Sequence, residues 1–511
     1  MRVLRSALDV TAGTPVRLLL AVWAVAIAAY VIGPIKYDQP PQPSTWIFVG
    51  ACLVAFSAGV WAANHSAVAR RGIRQRARQR RWNLSLDTVV RVAAFLGLFG
   101  AICIAFDKLV LSGLDFSQGV TAVRFARADA VDQGTAGNLR RSPLLYLGYM
   151  TFAFSVAAYL IYLLKGESLR RSTMWVAFVG LSSIFLYSYV SGGRSPLGLV
   201  IGMAGGAILV RMLSRQSALP AGRTGRVLFA VFLIVTAAYS NWIVSERFVA
   251  TSATSYAVLE KRFQDVYDAS IPPLTASSAP PTATAPAPVA TPIPTVVAPV
   301  IASSAPPGAT PVPTVVAAVP SATQEPPRPS LGEQIRMQAI INSYYATHEI
   351  PMLDRTLSYT GELGPYYGAY EFYLLAAFAQ RLTPWWSVDA VMLPQLKAAN
   401  VYGWFSTAWG GMYLDFGAGG ALVAALICGW LAGIVYRRAL VDGNDGSRLL
   451  MCYVVAGIIA TPVLSIFTIS ISLPILVSLV VAALVINRAS GPVAAASQPG
   501  AVPLGVTQPH A

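Results

Sequence analysis

The chain has 511 residues, of which 55% are hydrophobic and only 12% are charged, and its formal net charge is +15. The apolar residues form blocks of about twenty, the length that crosses roughly 30 Å of hydrocarbon, which excludes a β-barrel of short alternating strands. The positive charge fits cytoplasmic loops facing anionic lipid better than it fits nucleic-acid binding. We therefore predict an all-α polytopic membrane protein without a nucleic-acid partner.

Ten apolar stretches are long enough to span a bilayer as helices. Seven lie in a first membrane region, residues 1–245, and three in a second, residues 416–490. The first stretch follows basic residues and resembles a signal peptide, but removing it would disturb the loop pattern described next. In chain order the predicted spans are about 16–34, 44–63, 89–111, 144–164, 174–191, 196–213, 227–245, 416–436, 449–467 and 470–487.

Arginine clusters fall on alternate connections between these spans. The densest cluster is residues 70–81, and further basic clusters follow the fourth, sixth, eighth and tenth spans. Cytoplasmic loops of membrane proteins carry an excess of Lys and Arg. With ten spans, all of these clusters and both termini are predicted to be cytoplasmic.

One very large outer connection separates the two membrane regions. Residues 246–270 begin it, residues 271–329 are almost purely Ala, Pro, Thr, Ser and Val, and residues 330–415 return to a mixed composition. The middle segment has no aromatic side chain with which to build a core, so we predict a disordered linker there. Residues 330–415 are predicted to be the ordered part of the loop, and residues 491–511 a disordered tail.

The cysteines and histidines indicate no metal chemistry. Cys52, Cys103, Cys428 and Cys452 all lie in predicted spans and form no CxxC pair, and the three histidines form no zinc motif. The cysteines are interpreted as small buried hydrophobic residues. We therefore predict neither a metal site nor a cofactor.

Charged residues gather at the outer ends of the spans rather than at mid-depth, where a transporter normally keeps them. Arg194 lies at the tip of an apolar hairpin, where a cation does not help to set topology. Burying an arginine in lipid costs roughly 2.5–3.5 kcal/mol, so Arg194 is expected to face a wet cavity or a bound anion, or else to snorkel to the headgroups. Other charged residues predicted on this side are Arg124, Arg127, Glu246, Arg247 and Asp415.

Tyrosine and tryptophan are concentrated between residues 359 and 404. This pattern is typical of an aromatic belt at the membrane interface, and it also suits stacking on sugar rings; the two roles are compatible. The apolar patch 372–382 within it is too short to span, so we expect it to lie in the interface or to re-enter the membrane.

Three motifs together carry a family resemblance. The sequence Ser191-Gly192-Gly193-Arg194-Ser195 between two spans resembles the Ser-Gly-Ser-Arg-Gly signature of bacterial oligosaccharide repeat unit polymerases, the Wzy-type O-antigen polymerases. Residues 400–417, with the Gly429–Gly433 stretch that follows, resemble that family's aromatic-Asp-Phe-Gly entry to a late span. Residues 113–117, with Arg124 after them, resemble its loop after the third span. Gly193, Ser195 and the long linker depart from the family pattern.

The resemblance implies an inverting, metal-independent glycosyltransferase with a lipid-linked donor. Such an enzyme transfers a growing glycan from undecaprenyl pyrophosphate onto an incoming lipid-linked repeat unit, at the outer face of the bacterial cytoplasmic (inner) membrane. The implied partners are the lipid-linked oligosaccharide, membrane lipids and a chain-length regulator protein. Guanidinium groups at the membrane mouth are suited to holding the oxygens of the leaving pyrophosphate.

On this interpretation Arg194, Asp415 and Glu246 are the predicted catalytic residues. A general base must take the proton of the acceptor hydroxyl, and Asp415, Glu246, Glu362 and His348 all remain candidates. Asp415 is equally expected as a cap at the start of the eighth span, where its charge suits the helix dipole. The predicted substrate-binding residues are Arg124, Arg127, Arg247, Arg355, Tyr359 and Tyr413.

Other functions remain as alternatives. An O-antigen ligase would use the same donor with a different acceptor. A lipid-linked oligosaccharide flippase or exporter would not be an enzyme, and a non-catalytic component of a polysaccharide assembly complex is a further alternative. Uncharged span centres and one large outer loop favour an enzyme that works at the outer face.

The arginine distribution predicts that residues 64–84 are inside the cell and that residues 246–405 are outside. In a variant without the four native cysteines, we expect Val300→Cys to react with a membrane-impermeant thiol reagent in intact cells. Arg76→Cys should react only after the cells are permeabilised. Labelling of Arg76→Cys in intact cells, or protection of Val300→Cys, would contradict the ten-span topology.

Overall fold

The computed structural model describes residues 14–33, 35, 37, 40–66, 84–112, 142–191, 193, 195–219, 222–250, 332, 339, 343–344, 346–382, 388–401 and 406–489, without the side chains of 244–250, 381–382 and 388–389. All of these residues except Gly332 belong to one compact unit. The predicted linker and the predicted C-terminal tail lie outside these ranges. The predicted start of the outer loop also lies outside them, apart from residues 246–250.

Within these ranges the chain is helical and contains no strand. The third helix continues into a π-helical turn, Asp107–Leu111. The helices are, in chain order, α1 Thr14–Ile32, α2 Pro43–His65, α3 Leu86–Phe106, α4 Pro143–Thr151, α5 Phe154–Lys165, α6 Arg171–Gly180, α7 Ser182–Ser191, α8 Ser195–Leu213, α9 Arg223–Ala250, α10 Glu349–Ser358, α11 Tyr373–Leu382, α12 Val388–Ala398, α13 Ala408–Leu440, α14 Asp445–Ala460 and α15 Ser472–Ala489.

Nine helical segments of the described chain are long and apolar enough to cross a membrane. They coincide with nine of the ten predicted spans, so the protein is a polytopic α-helical membrane protein. The predicted span 449–467 differs, because α14 has only 16 residues, or about 24 Å of helix. This helix ends just before Pro462, which has no backbone N–H to continue it.

Helix α5 lies at the centre of the bundle, and residues 155–164 are all buried. Small residues let its neighbours approach closely, as is usual where lipid supplies no hydrophobic force between helices. A Cβ atom on Gly97 of α3 would lie 2.3 Å from the Cβ atom of Ser155. A Cβ atom on Gly206 of α8 would lie 2.8 Å from the carbonyl oxygen of Cys452 in α14. Glycine is therefore required at both contacts.

Basic side chains hold the connections together at one end of the bundle, which we call the arginine end. Arg211 is buried there and donates to the carbonyl oxygens of Leu163 and Leu164, at 3.2 Å and 3.0 Å. Arg437 donates to the carbonyl oxygen of Asn64 at 2.7 Å. These arginines supply donors to carbonyls that a helix C-terminus leaves without partners, which also suits the helix dipole.

The closest helix pair is α2 with α13. A Cβ atom on Gly59 would lie 2.0 Å from the carbonyl oxygen of Leu426, and one on Gly429 would lie 2.0 Å from that of Phe56. Gly433 packs on Ala63 one turn further along. The Gly429–Gly433 stretch therefore acts as a small-residue packing face.

Gly429→Ala should destabilise the protein, because the added methyl group has to displace the α2 backbone. Overpacking of this kind commonly costs about 1–3 kcal/mol. The matched control is Gly419→Ala in the same helix, where a Cβ atom meets nothing within 4 Å. Thermal unfolding in detergent measures the difference, and equal melting temperatures for the two variants would contradict the close contact.

Candidate functional site at the loop end

Several connections meet at the opposite end of the bundle, which we call the loop end. Asp354 in α10 accepts hydrogen bonds from the backbone N–H of Gln42 at 2.7 Å and from the hydroxyl of Thr45 at 2.6 Å. It thereby accepts the N–H of the N-cap residue of α2 and ties the start of that helix to α10. The backbone N–H of Ala408, at the start of α13, donates to the carbonyl of Thr461 at 2.9 Å. Segments distant in sequence are thus fixed together at one end of the bundle.

A break in α13 shapes this end. Gly417 has φ 68° and ψ −178°, a conformation that interrupts the helix and that favours glycine. The helix also begins at Ala408, eight residues before the predicted start at 416, and its N-cap is Thr407, whose hydroxyl accepts from the N–H of Gly410 at 3.1 Å. Asp415 therefore does not cap this helix, and the capping interpretation is wrong.

Residues 359–372, which we call the aromatic loop, dock on the last turn before this break. The N–H groups of Tyr366 and Tyr367 donate to the carbonyl oxygens of Leu414 and Asp415, at 3.0 Å and 2.9 Å. These carbonyls lie just before the interruption, where intrahelical partners are lost. Gly364 has φ 72°, and a Cβ atom on it would lie 2.4 Å from the Leu414 carbonyl oxygen. Only glycine allows this approach.

The side chain of Asp415 completes the anchor. It is fully buried, and its two oxygens accept the backbone N–H groups of Tyr370 at 2.9 Å and Glu371 at 2.8 Å. A carboxylate held by two N–H donors is a strong, charge-assisted arrangement. Asp415 therefore positions the residue that follows Tyr370.

Glu371, the residue that Asp415 positions, carries a buried carboxyl group, and only one of its two oxygens has a hydrogen-bond partner among the described residues. Its side chain is 2% exposed, and Oε2 accepts a hydrogen bond from the hydroxyl of Ser465. Oε1 has no hydrogen-bond partner among the described residues. A Cβ atom on Gly411 would lie 2.0 Å from Oε1, so glycine there makes room for the carboxyl group. Burial raises the pKa of Glu371 to about 8, the Ser465 hydroxyl opposes this shift, and the charge of Asp415 adds to it.

A second buried carboxyl group lies nearby. Glu349 is fully buried, and its Oε1 lies 2.9 Å from Nε2 of the equally buried His348. Burial raises the pKa of Glu349 to about 7, against the opposing effect of His348. Tyr370 lies close enough to both carboxyl groups to interact with their charges. Burial raises the pKa of Tyr370 most, and the charges of Glu371, Glu349 and Asp415 raise it further. We call Glu349, Tyr370, Glu371 and Asp415 the carboxylate cluster.

Three of the predicted site residues, Arg124, Arg127 and Arg194, lie outside the described residues. Glu246 and Arg247 lie in the last turns of α9, which is described there without its side chains. The start of α8 shows at which end of the bundle Ser195, the residue after Arg194, lies. Gly202 lies against Ala456 and Gly206 against Cys452, so α8 and α14 run antiparallel. Ser195 is therefore at the loop end, the end at which α14 finishes.

The other predicted residues contact the protein itself. Arg355 donates through Nε to the carbonyl oxygen of Ala399 at 2.9 Å. Tyr359 packs within the apolar cluster under the aromatic loop and covers Gly361. Tyr413 lies edge-on to Phe48, with ring centroids 5.9 Å apart. Each of the three side chains thus contacts other residues of the protein.

The sequence interpretation missed Glu371 and Ser465. One signal was available, because Glu371 is the only acidic residue between Leu363 and Ser387, inside a run of aromatic and aliphatic residues. A charged group in such a run is seldom buried without a partner. Ser465 has no comparable signal in the sequence.

In the described part of the chain, no three His, Cys, Asp or Glu side chains are grouped closely enough to hold a metal ion. Comparison of the chain with protein-family models, with curated proteins and with solved structures gives no match. The family resemblance noted in the sequence therefore remains a prediction.

The raised pKa of Glu371 predicts a pH-dependent stability. Below its ordinary pKa of 4.5, Glu371 is protonated in both the folded and the unfolded protein. Between that value and about 8 only the folded protein keeps the proton, so stability should fall as the pH rises. Melting temperatures of Glu371→Gln in detergent should fall less than those of the wild type between about pH 5 and pH 8.

Glu349 contributes in the same direction up to about pH 7, so Glu349→Gln should flatten only the lower part of the curve. The matched control is Asp445→Asn, a carboxyl-to-amide change at the arginine end that leaves Glu349 and Glu371 in place. A Glu371→Gln protein with an unchanged slope would show that Glu371 titrates normally.

Proposed function

We propose that the protein is a membrane glycosyltransferase that polymerises polyprenyl-pyrophosphate-linked oligosaccharide repeat units, with Glu371 as the proton acceptor. The observation that supports this proposal most directly is the Glu371–Ser465 pair. It places a buried carboxyl group with an unpaired oxygen at the loop end, on the segment held by Asp415. The family resemblance supports the same function independently.

The reaction needs one proton transfer and one charged leaving group. The acceptor hydroxyl oxygen forms a bond to the anomeric carbon of the donor, and the bond from that carbon to the pyrophosphate oxygen breaks. Glu371, in its ionised form, takes the hydroxyl proton. A base whose pKa lies near the working pH is effective in this role, and the pKa of Glu371, raised by burial, meets that condition.

Arg194 is proposed to hold the leaving pyrophosphate. Its neighbour Ser195 begins α8 at the loop end, on the same side of the bundle as the carboxylate cluster. A guanidinium group there would bind pyrophosphate oxygens through two parallel hydrogen bonds and offset the charge that develops. Asp415 serves as a positioning residue, because each of its carboxylate oxygens accepts a backbone N–H of the aromatic loop.

The proposed orientation puts the loop end outside the cell and the arginine end in the cytoplasm. The positive-inside rule supports it, since Lys165, Arg211 and Arg437 all lie at the arginine end. In this orientation α14 also crosses the membrane despite its length, as the ninth crossing in chain order, and α15 is the tenth. Both termini are then cytoplasmic, and the reaction takes place at the outer face of a bacterial cytoplasmic membrane.

Glu371→Gln keeps the size of the side chain but cannot accept the proton, so it should abolish polymer formation at normal protein levels. Arg194→Lys should be severely impaired and Arg194→Ala inactive, since one such contact is commonly worth about a hundredfold in rate. Asp445→Asn, a carboxyl-to-amide change at the arginine end, is the matched control. Gel analysis of surface polysaccharide from complemented deletion cells measures the result.

The pattern on the gel separates the candidate reactions. Loss of the ladder with single capped units retained supports a polymerase, whereas loss of all capped species means a ligase. A wild-type ladder from Glu371→Gln would remove Glu371 from the mechanism. A wild-type ladder from Arg194→Ala would remove the proposed anion site.

A further inference from the structure

An elongated apolar cavity of about 270 Å³ lies between α2, α13, α14 and α15. Its wall follows α14 from Leu450 to Thr461, a length of about 16 Å along the helix axis. Apolar cavities of about 150 Å³ already take up a benzene-sized hydrocarbon. The shape and direction of this cavity suit an extended chain that runs parallel to the helices.

The polar groups in the cavity wall offer little to a polar occupant. The hydroxyl of Tyr453 is hydrogen-bonded to Ser472 at 2.6 Å. That of Thr461 donates to the carbonyl of Ile458 at 2.8 Å and accepts from Trp23. A hydrocarbon, which needs no hydrogen bonds, is therefore the occupant that this lining fits.

The cavity also reaches the surface that faces lipid. Leu431 of α13 lines it and is 50% exposed, and Val480 of α15 lines it and is 39% exposed. In a membrane protein, side chains exposed in the middle of spanning helices contact lipid. A hydrocarbon chain can thus enter between α13 and α15 without passing through water.

One end of the cavity adjoins the candidate site. Ser465 lines the cavity and donates its hydroxyl hydrogen to Glu371, and Phe467 lies 5.2 Å from the ring of Phe372, the next residue in the aromatic loop. Trp409 also lines this end, and its indole N–H has no partner among the described residues. This end of the cavity therefore adjoins the segment that carries Glu371.

We infer that this cavity binds the polyprenyl chain of the lipid-linked substrate and sets its pyrophosphate and sugar beside Glu371. The inference rests on the proposed function for the identity of the lipid. The observations behind the inference do not depend on that function. The cavity, its opening to lipid and its contact with Ser465 are independent of any catalytic role for Glu371.

Photolabelling tests the site without an activity assay. Full-length protein in phosphatidylglycerol nanodiscs would be irradiated with a polyprenyl phosphate that carries a photoreactive group near the end of its chain. Mass spectrometry should locate the label on α13, α14 and α15 residues that line the cavity. Unlabelled polyprenyl phosphate should compete, and added phosphatidylglycerol should not.

Gly457→Leu should fill the cavity, because a Cβ atom there meets only the side chain of Ile466, at 3.5 Å, and a longer side chain projects into the free space. We expect the apparent affinity for the probe to fall about tenfold, or about 1.4 kcal/mol. Gly205→Leu is the matched control, since its Cβ atom meets nothing within 4 Å. If Gly457→Leu fails to fold, Val480→Trp at the cavity mouth replaces it.

Two results would overturn the inference. Equal labelling of the cavity by a photoreactive phosphatidylglycerol would make bulk lipid the occupant, and labelling elsewhere would mean that the chain does not enter. Failure of the proposed function gives a different result. If Glu371→Gln still makes polymer while the cavity is labelled specifically, the lipid site stands and the role of Glu371 falls.

Discussion

The loop end depends on the interruption of α13 at Gly417. A helix that continued straight would keep the carbonyls of Leu414 and Asp415 in its own ladder, and the aromatic loop would lose the acceptors on which it docks. Because the helix breaks there, its free backbone carbonyls are satisfied by another segment of the protein, which is the condition for irregular backbone within a membrane-spanning segment. The buried carboxylate of Asp415 then fixes Glu371 within reach of Ser465.

Much of the architecture was predictable because a membrane imposes simple rules on sequence. Twenty apolar residues in a row have few alternatives to a spanning helix, so in the described part of the chain nine helical segments fall where hydropathy places them. The errors occur where hydropathy carries no information. The early start of α13 at Ala408 depends on Thr407 as a cap, and the short α14 depends on Pro462. Both are decided by backbone hydrogen bonding.

The site was less predictable, and its residues show why. Asp415 stands out in the sequence as an acid at a span boundary, but its partners are N–H groups 44 and 45 residues away along the chain. Glu371 meets Ser465 across 94 residues. Contacts between residues so far apart in sequence are set by how whole helices pack, so no local sequence pattern predicts them. Arg355, predicted from the sequence to bind substrate, donates through Nε to the carbonyl oxygen of Ala399, 44 residues away along the chain.

The packing of α2 against α13 has a consequence for biogenesis. Arg437 meets Asn64 across 373 residues, which at about 5–20 residues per second separates their synthesis by roughly 20 to 75 s. For that period the surface of α2 around Gly59, which later packs on α13, contacts lipid or the insertion machinery instead. A helix tolerates this delay because its backbone hydrogen bonds are internal. The packing of α2 on α13 therefore forms only after α13 has been made, and a nascent protein truncated before α13 would leave its second helix without its main partner.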